Sequence, residues 1–317
     1  MSIQIIGTGS YIPERVVTND ELSALVETND EWIQQRVGIA ERHVSVNETA
    51  ADMAIQAANR ALEAAGCSGG DIDLIIAATM SSDTACPTVA STVQAAIGAS
   101  CPAFDVNSCC SGFLFGLDIA ISYMQRGGMQ RILVLGAERM SKIIDWSDRS
   151  TCVIFGDGAG AAVLAPGKEP VVSRIYTSGD RDVIYVPTHS GASPFFKKEK
   201  EPPFVNMNGQ ETFKFAVNRM TEDMRYAVEQ YGVSLEDIAW FVPHQANRRI
   251  IDFASKRLGV PKEKFFVNID TVGNTSAASV PIALDALLRS GKAKHGDLIA
   301  MSAFGGGLSS AVCIIKY

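Results

Sequence analysis

The chain has 317 residues, 47% of them hydrophobic and 20% charged, with 28 Lys+Arg against 35 Asp+Glu and a formal net charge of −7. That length suits one large domain or two of roughly 150 residues, and the acidic balance argues against a general nucleic-acid binder. Seven cysteines stand without CxxC or other metal-ligand spacing, and no apolar run approaches the roughly 18 residues of a membrane span, which disfavours a zinc site, a disulfide frame and a membrane anchor. A reducing cytoplasm is the expected setting.

Residues 1–10 carry no basic region ahead of their apolar residues and read as a strand rather than a signal peptide. Residues 53–65 have a helical pattern, and Leu74–Ala78 is an apolar run. Ala103–Val106 ends a strand and runs into Asn107-Ser108-Cys109-Cys110-Ser111-Gly112. Phe113, Leu114, Leu117, Ile121 and Met124 then recur at helical steps. Ser108 is the expected N-cap, which puts Cys110 in the first turn. Free N–H groups and the positive dipole end there favour a thiolate. Taken alone, the stretch also suits two small buried hydrophobes. Residues 197–201 read as a solvated charged loop, and His43, His189 and His295 as structural or surface residues.

A spacing repeats. Gly66, Ser68, Asp71 and Ile72 lead into Leu74–Ala78; Gly232, Ser234, Asp237 and Ile238 lead into 240–242, each 166 positions later. Both follow helical patterns, 53–65 and 215–231. Residues 132–136 precede Gly156-Asp157-Gly158-Ala159-Gly160, as 298–302 precede Gly305-Gly306-Gly307. The expectation is an α/β protein of two similar halves, 1–168 and 169–317, joined near Pro166 to Pro170. Shifting the Cys110 stretch by 166 or 167 positions lands on Gly273-Asn274-Thr275-Ser276-Ala277, and Asp118 answers to Asp285. The strand matching Leu74–Ala78 ends in Pro243-His244-Gln245-Ala246-Asn247. Strand ends of this kind open into a ligand crevice, so Cys110, His244 and Asn274 are expected to converge.

These residues resemble the thiolase-like condensing enzymes, and closely the β-ketoacyl-acyl carrier protein synthase III family. The likeness covers essentially the whole chain: Gly7-Thr8-Gly9-Ser10-Tyr11, Asp30-Glu31-Trp32-Ile33, Arg36, Phe104-Asp105-Val106 to Cys110, Phe155 to Gly160, His244-Gln245-Ala246-Asn247, Gly273 to Ala277, and Phe304 to Gly307. It implies a five-layered α-β-α-β-α sandwich, a homodimer, and a decarboxylative Claisen condensation of an acyl-CoA primer with malonyl-acyl carrier protein. An initiating enzyme of fatty-acid synthesis is expected; the alternative is a related condensing enzyme of a polyketide or other secondary pathway. No cofactor or metal is implied.

The resemblance also implies roles. Cys110 is the nucleophile, and Cys109, where the family has a small residue, is read as packing. His244 and Asn274 donate to the malonyl thioester, the Cys110 and Gly306 N–H groups form an oxyanion hole, and Phe304 is a gate or plain core packing. Thr28, Trp32, Arg36, Arg149, Phe213 and Asn247 fall to CoA. Thr28-Asn29-Asp30-Glu31 looks like a capping box that starts a helix with Trp32 and Arg36 on one face; a surface cation–π pair reads the same. Arg249, with Arg248, Lys256 and Arg257, is the expected carrier-docking face, or a solvated basic helix. Cys86, where many relatives carry phenylalanine, leaves room for primers longer than acetyl.

Overall fold

The structure, a computed structural model, describes residues 2–188, 194–195 and 201–317; His189 and residues 197–200 of the charged loop lie outside them. Side-chain alternation along the strands decides the layering. In Leu74–Ala78 all five residues are buried, Leu74 and Ile76 on one face, Ile75 and Ala77 on the other, as in a strand covered on both sides. It lies in a five-stranded sheet ordered Ser2–Tyr11, Gly158–Pro170, Ile132–Glu138, Leu74–Ala78, Ala103–Val106. One face, with Ile75, Leu133, Leu135 and Val163, packs on helices Ala50–Ala65 and Val89–Ala96. The other packs on helix Gly112–Gln125.

A second sheet is ordered Val172–Asp180, Gly307–Lys316, Leu298–Gly305, Ile238–Pro243. Its inner face, with Val242, Met301 and Ile315, joins the same central cluster, which holds Val280, Leu284 and Leu287 of helix Ser279–Arg289. Its outer face, with Phe241, Ala300 and Ile314, is covered by helices Gly209–Tyr231 and Arg248–Leu258. Helices and sheets therefore alternate in five layers, as the sequence leads one to expect.

The two sheets share one pattern of two antiparallel pairings followed by parallel ones. Where Ile76 pairs with Phe104, Phe241 bridges in parallel to Phe265. The small details repeat as well. Gly66 and Gly232 end their helices in the left-handed region, at φ 63° and 80°. Ser68 donates to Asp71 from N (2.9 Å) and Oγ (2.7 Å); Ser234 does the same to Asp237 at 2.8 and 2.7 Å. Strand Gly158–Pro170 pairs with Ser2 up to its last residue, so the sheets divide at Val171.

The halves interlock at the midline. A Cβ on Gly136, in the first sheet, would lie 2.3 Å from the Ala277 carbonyl oxygen; one on Gly305, in the second, would lie 2.8 Å from the Cys110 nitrogen. Each sheet uses a missing side chain to seat a turn of the other half. Asp285, 2% exposed, adds polar ties by accepting from Thr8 Oγ1 (2.8 Å) and Ser10 Oγ (2.6 Å) of the first strand.

Candidate active site

Strand Ala103–Val106 delivers the chain to Cys109, whose φ of 50° is a left-handed value that residues with a Cβ rarely adopt. A 3-10 turn, Cys109–Ser111, follows before helix Gly112–Gln125. Ser108 does not cap with its side chain, contrary to expectation. The extra turn separates it from the α-helix, and Asn107 Oδ1 accepts the Cys109 N–H instead, at 3.1 Å. Cys110 thus stands in the tight turn ahead of the helix, 9% exposed.

Cys110, His244, Asn274, Phe304 and Gly305 line one small cavity, joined by Cys109, Met80, Phe155 and Met207. His244 follows strand Ile238–Pro243, and its N–H donates to the Ser302 carbonyl at 2.6 Å. Its ring meets Phe304 edge-on, centroids 5.1 Å apart, and both ring nitrogens are buried without a partner among the described residues. Burial drives its pKa down to about 3, so the imidazole is neutral at ordinary pH. Asn274 is buried, and its Oδ1 accepts the Ser276 N–H at 2.9 Å. That contact leaves its NH2 group for the cavity.

The Cys110 thiol donates to Ser276 Oγ at 3.4 Å, with Cys109 Sγ 3.9 Å away. The Cys109 thiol, burial and the Glu138 carboxyl together push the Cys110 thiol well above its usual range. The sequence-based expectation was the reverse, because a helix start favours thiolate. Here the turn is buried and a second thiol stands beside it. Ser276 Oγ in turn donates to Glu138 Oε1 at 3.1 Å. Glu138 is fully buried and also accepts from Thr79 Oγ1 (3.3 Å), the N–H of Met80 (3.2 Å) and Ser81 (3.1 Å), and Ser81 Oγ. Burial outweighs these donors and lifts it to about 7.

Cys109 Sγ sits 3.3 Å from Met80 Sδ and borders a second cavity of about 1030 Å³ that runs past Asn107, Phe115, Ile143 and Ile184. The Gly306 N–H, expected to face an oxyanion at Cys110, is turned toward the Cys109 sulfur.

At the surface, helix Asp30–Val37 carries Trp32, with the Arg36 guanidinium 5.8 Å and the Arg149 guanidinium 4.9 Å from the centre of its ring. Its N-cap is Asn29, whose side chain accepts the Trp32 N–H at 2.8 Å, and not Thr28; Thr28 Oγ1 is buried without a partner among the described residues. The cap falls one residue later because Asn29 spans to the third helical N–H. Asn247 Nδ2 donates to the Arg36 carbonyl at 3.1 Å while its Oδ1 caps helix Arg248–Leu258. Arg248, Arg249, Lys256 and Arg257 are all exposed on that helix. Arg249 lies 5.9 Å from the Phe213 ring, and Phe213 meets exposed Phe253 edge-on. Cys86 is exposed and does not line the Cys110 cavity. His43 Nδ1 is 2.6 Å from the Pro13 carbonyl, and His295 stacks on Tyr317.

Glu138 and Ser276 were not singled out in the sequence. Ser276 had a signal, since it lies 167 positions after Cys109. Glu138 had a weaker one: a charge that closes the apolar run Ile132 to Ala137 must be buried with partners.

Comparison with known proteins bears on the whole chain. A family model described as 3-oxoacyl-[acyl-carrier-protein] synthase III matches residues 104–179, and the model of that family's C-terminal part matches 228–317. The chain is 44% identical to the β-ketoacyl-[acyl-carrier-protein] synthase III of Clostridium acetobutylicum, over 100% of this chain and 99% of that protein. The crystal structure of the 3-oxoacyl-[acyl-carrier-protein] synthase III from Aquifex aeolicus superposes with a TM-score of 0.93 at 43% identity, covering 99% of this chain and 100% of that one. The priming β-ketosynthase of the R1128 polyketide biosynthetic pathway gives 0.91 at 36% identity, covering 99% and 96%.

Proposed function

The chain belongs to the 3-oxoacyl-[acyl-carrier-protein] synthase III family, and from that premise we propose that it starts fatty-acid chains by condensing an acyl-CoA primer with malonyl-acyl carrier protein. One observation carries the reading: a thiol from one half and an imidazole and a carboxamide from the other line the same buried cavity.

Cys110 Sγ attacks the acyl-CoA carbonyl, the C–S bond to CoA breaks, and the acyl group stays on the enzyme as a thioester. Backbone N–H groups of the tight turn stabilise the oxyanion. Malonyl-acyl carrier protein then binds with its thioester oxygen between His244 and Asn274. Its C–C bond to the carboxylate breaks, CO2 leaves, and the electron pair remains as an enolate held by the two donors. The enolate carbon attacks the Cys110 thioester, the C–S bond breaks, the sulfur leaves as the thiolate and takes a proton from water, and β-ketoacyl-carrier is released. The low pKa of His244 supports a neutral donor rather than a base, and a carboxamide in the third place suits that state better than a carboxylate. This chemistry calls for no resident cofactor.

Trp32 with two guanidiniums within cation–π reach, and the Thr28 hydroxyl without a partner among the described residues, suit an adenine nucleotide with its phosphates. Asn247 links that helix to Arg248–Leu258, whose exposed cations suit an acidic carrier protein on an otherwise acidic chain. A homodimer fits the family likeness: Cys86 is exposed and outside its own chain's Cys110 cavity, so the primer reading of that residue requires a second copy. All seven cysteines are free, which suits the cytoplasm, and no described helix is long and apolar enough to cross a membrane.

Intact-mass measurement after mixing with acyl-CoAs of graded length and branching tests the reading. Acyl mass on Cys110, extending beyond acetyl, is the expected result. Strict acetyl preference would refute the primer reading of Cys86, and no acyl mass at all would refute the reaction. The likeness to the R1128 enzyme supports a polyketide priming role as a second reading; a fatty-acid carrier and a polyketide carrier offered in competition separate the two.

A further inference from the structure

Among the described residues the Cys110 thiol has two hydrogen-bond partners, Ser276 Oγ at 3.4 Å and the Cys109 sulfur at 3.9 Å, and neither is the imidazole. The thiol donates to Ser276 Oγ, and Ser276 Oγ donates to Glu138 Oε1. We propose that Glu138, acting through the Ser276 hydroxyl, takes the Cys110 proton as the sulfur attacks the primer, so that acyl uptake and malonyl decarboxylation rely on separate polar groups. This deepens the synthase reading and rests on Cys110 as nucleophile.

Three observations support it. The direction of donation is continuous from sulfur to carboxyl across 3.4 and 3.1 Å. Ser276 is held by backbone strain at φ 49°, and its own N–H is fixed on Asn274 Oδ1, which leaves the hydroxyl to bridge. Finally, the fold does not require an acid at this strand position. Ala78 pairs with Gly136 in the first sheet and Pro243 with Ser302 in the second, so the counterpart of Glu138 is Phe304. A carboxyl kept only to hold the Met80 and Ser81 N–H groups does not explain a serine that reaches it from the other half.

The step balances. The thiol proton passes to Ser276 Oγ as that hydroxyl's proton passes to Glu138. The Cys110 S–C bond forms and the C–S bond to CoA breaks. The proton on Glu138 returns through Ser276 to the departing thiolate, giving acyl-S-Cys110 and CoA-SH. Ser276 touches the reacting sulfur; Glu138 is a positioning residue behind it. The titratable groups facing Glu138 are the Cys109 and Cys110 thiols and Lys142, the last paired with Asp83, which Arg139 also binds at 2.7 Å. With the carboxyl lifted to about 7, uptake rises as pH climbs through that value; His244, lowered to about 3, adds no inflection there.

The test is single-turnover acetyl uptake from acetyl-CoA by quench-flow mass spectrometry, from pH 5.5 to 9 (roughly two units either side of the carboxyl), alongside decarboxylation of malonyl-acyl carrier protein. Glu138→Gln and Ser276→Ala should each slow uptake roughly 10²-fold or more. The loss in uptake should exceed the loss in decarboxylation by about tenfold or more. Glu138→Gln should flatten the rise through neutral pH, and Glu138→Asp should restore part of it. Glu138→Gln that takes up acetyl as fast as the parent, keeps the pH rise, or loses both half-reactions equally overturns the proposal. If Glu138→Gln does not fold, Ser276→Ala decides: unchanged uptake overturns it. Acetyl uptake that persists in Cys110→Ser overturns instead the nucleophile reading beneath it.

Discussion

The turns Cys109–Ser111 and Ser276–Ala278 are the same piece of backbone used twice. Both open on a non-glycine residue in the left-handed region, at φ 50° and 49°, pass through a 3-10 turn, and enter a helix that runs between the two sheets. Their side chains differ. The first turn presents two sulfurs; the second is preceded by a carboxamide and begins with a hydroxyl. The strands beneath diverge in the same way, Thr79 and Glu138 in one half against His244 and Phe304 in the other. Duplicated backbone supplies the geometry twice while the side chains differ; in the proposed reaction Cys110 and Glu138 of one half capture the acyl group with Ser276 lent by the other, and His244 and Asn274 polarise its partner.

The largest effect should separate the two sulfurs of the first turn. Cys110→Ser should cut acyl transfer roughly 10⁴-fold or more, while Cys109→Ser keeps acylation measurable by intact mass. Equal losses would mean that the pair acts as one nucleophilic unit and the division of labour is drawn in the wrong place. Next, Asn274→Ala or His244→Ala should cost about 10²–10³ in decarboxylation while acetyl uptake from acetyl-CoA survives. If uptake falls as far, His244 and Asn274 serve both steps. Gly305→Ala and Gly136→Ala, each forcing a Cβ into the opposite turn, should cost about 1–3 kcal/mol of stability, seen in thermal melts. Gly305→Ala should also slow acylation, since its target is Cys110; identical activity in both variants would deny that the turns differ in function.

A further effect concerns pH. His244 has a folded pKa of about 3 against an ordinary 6.5. Between those values the unfolded chain binds a proton that the folded one refuses. Stability is therefore full above about 6.5 and drains as pH falls toward 3, at up to roughly 1.4 kcal/mol per unit. His244→Asn should remove that slope in denaturant titrations at pH 4 to 6.5; an unchanged slope would place the imidazole in contact with water. On the docking face, Arg249→Glu should weaken use of malonyl-carrier far more than use of acetyl-CoA in steady-state rates, and equal losses would count against that face.

Much of this was legible in the residues. The 166-residue spacing foretold two sheets of one pattern because turn chemistry is local: the Ser68–Asp71 and Ser234–Asp237 pairs recur with nearly equal distances. The convergence of Cys110, His244 and Asn274 followed from strand ends and helix starts falling in equivalent places. What the residues hid was tertiary. The thiol's upward shift depends on how the Cys109 thiol is turned toward it, on how deeply the turn is buried and, less, on a carboxyl 28 positions later in the chain, on a strand two places across the sheet. The cap at Asn29 instead of Thr28 turned on which of two adjacent polar side chains reaches the Trp32 N–H.

The crossed glycines give the molecule an order of assembly. While only the first half has been synthesised, Cys110 lacks Gly305 beneath it and Ser276 beside it, so its turn has neither its seat nor its proton partner. The surroundings of the Cys110 sulfur are complete only once the strand Leu298–Gly305, near the C-terminal end of the second half, lies against it.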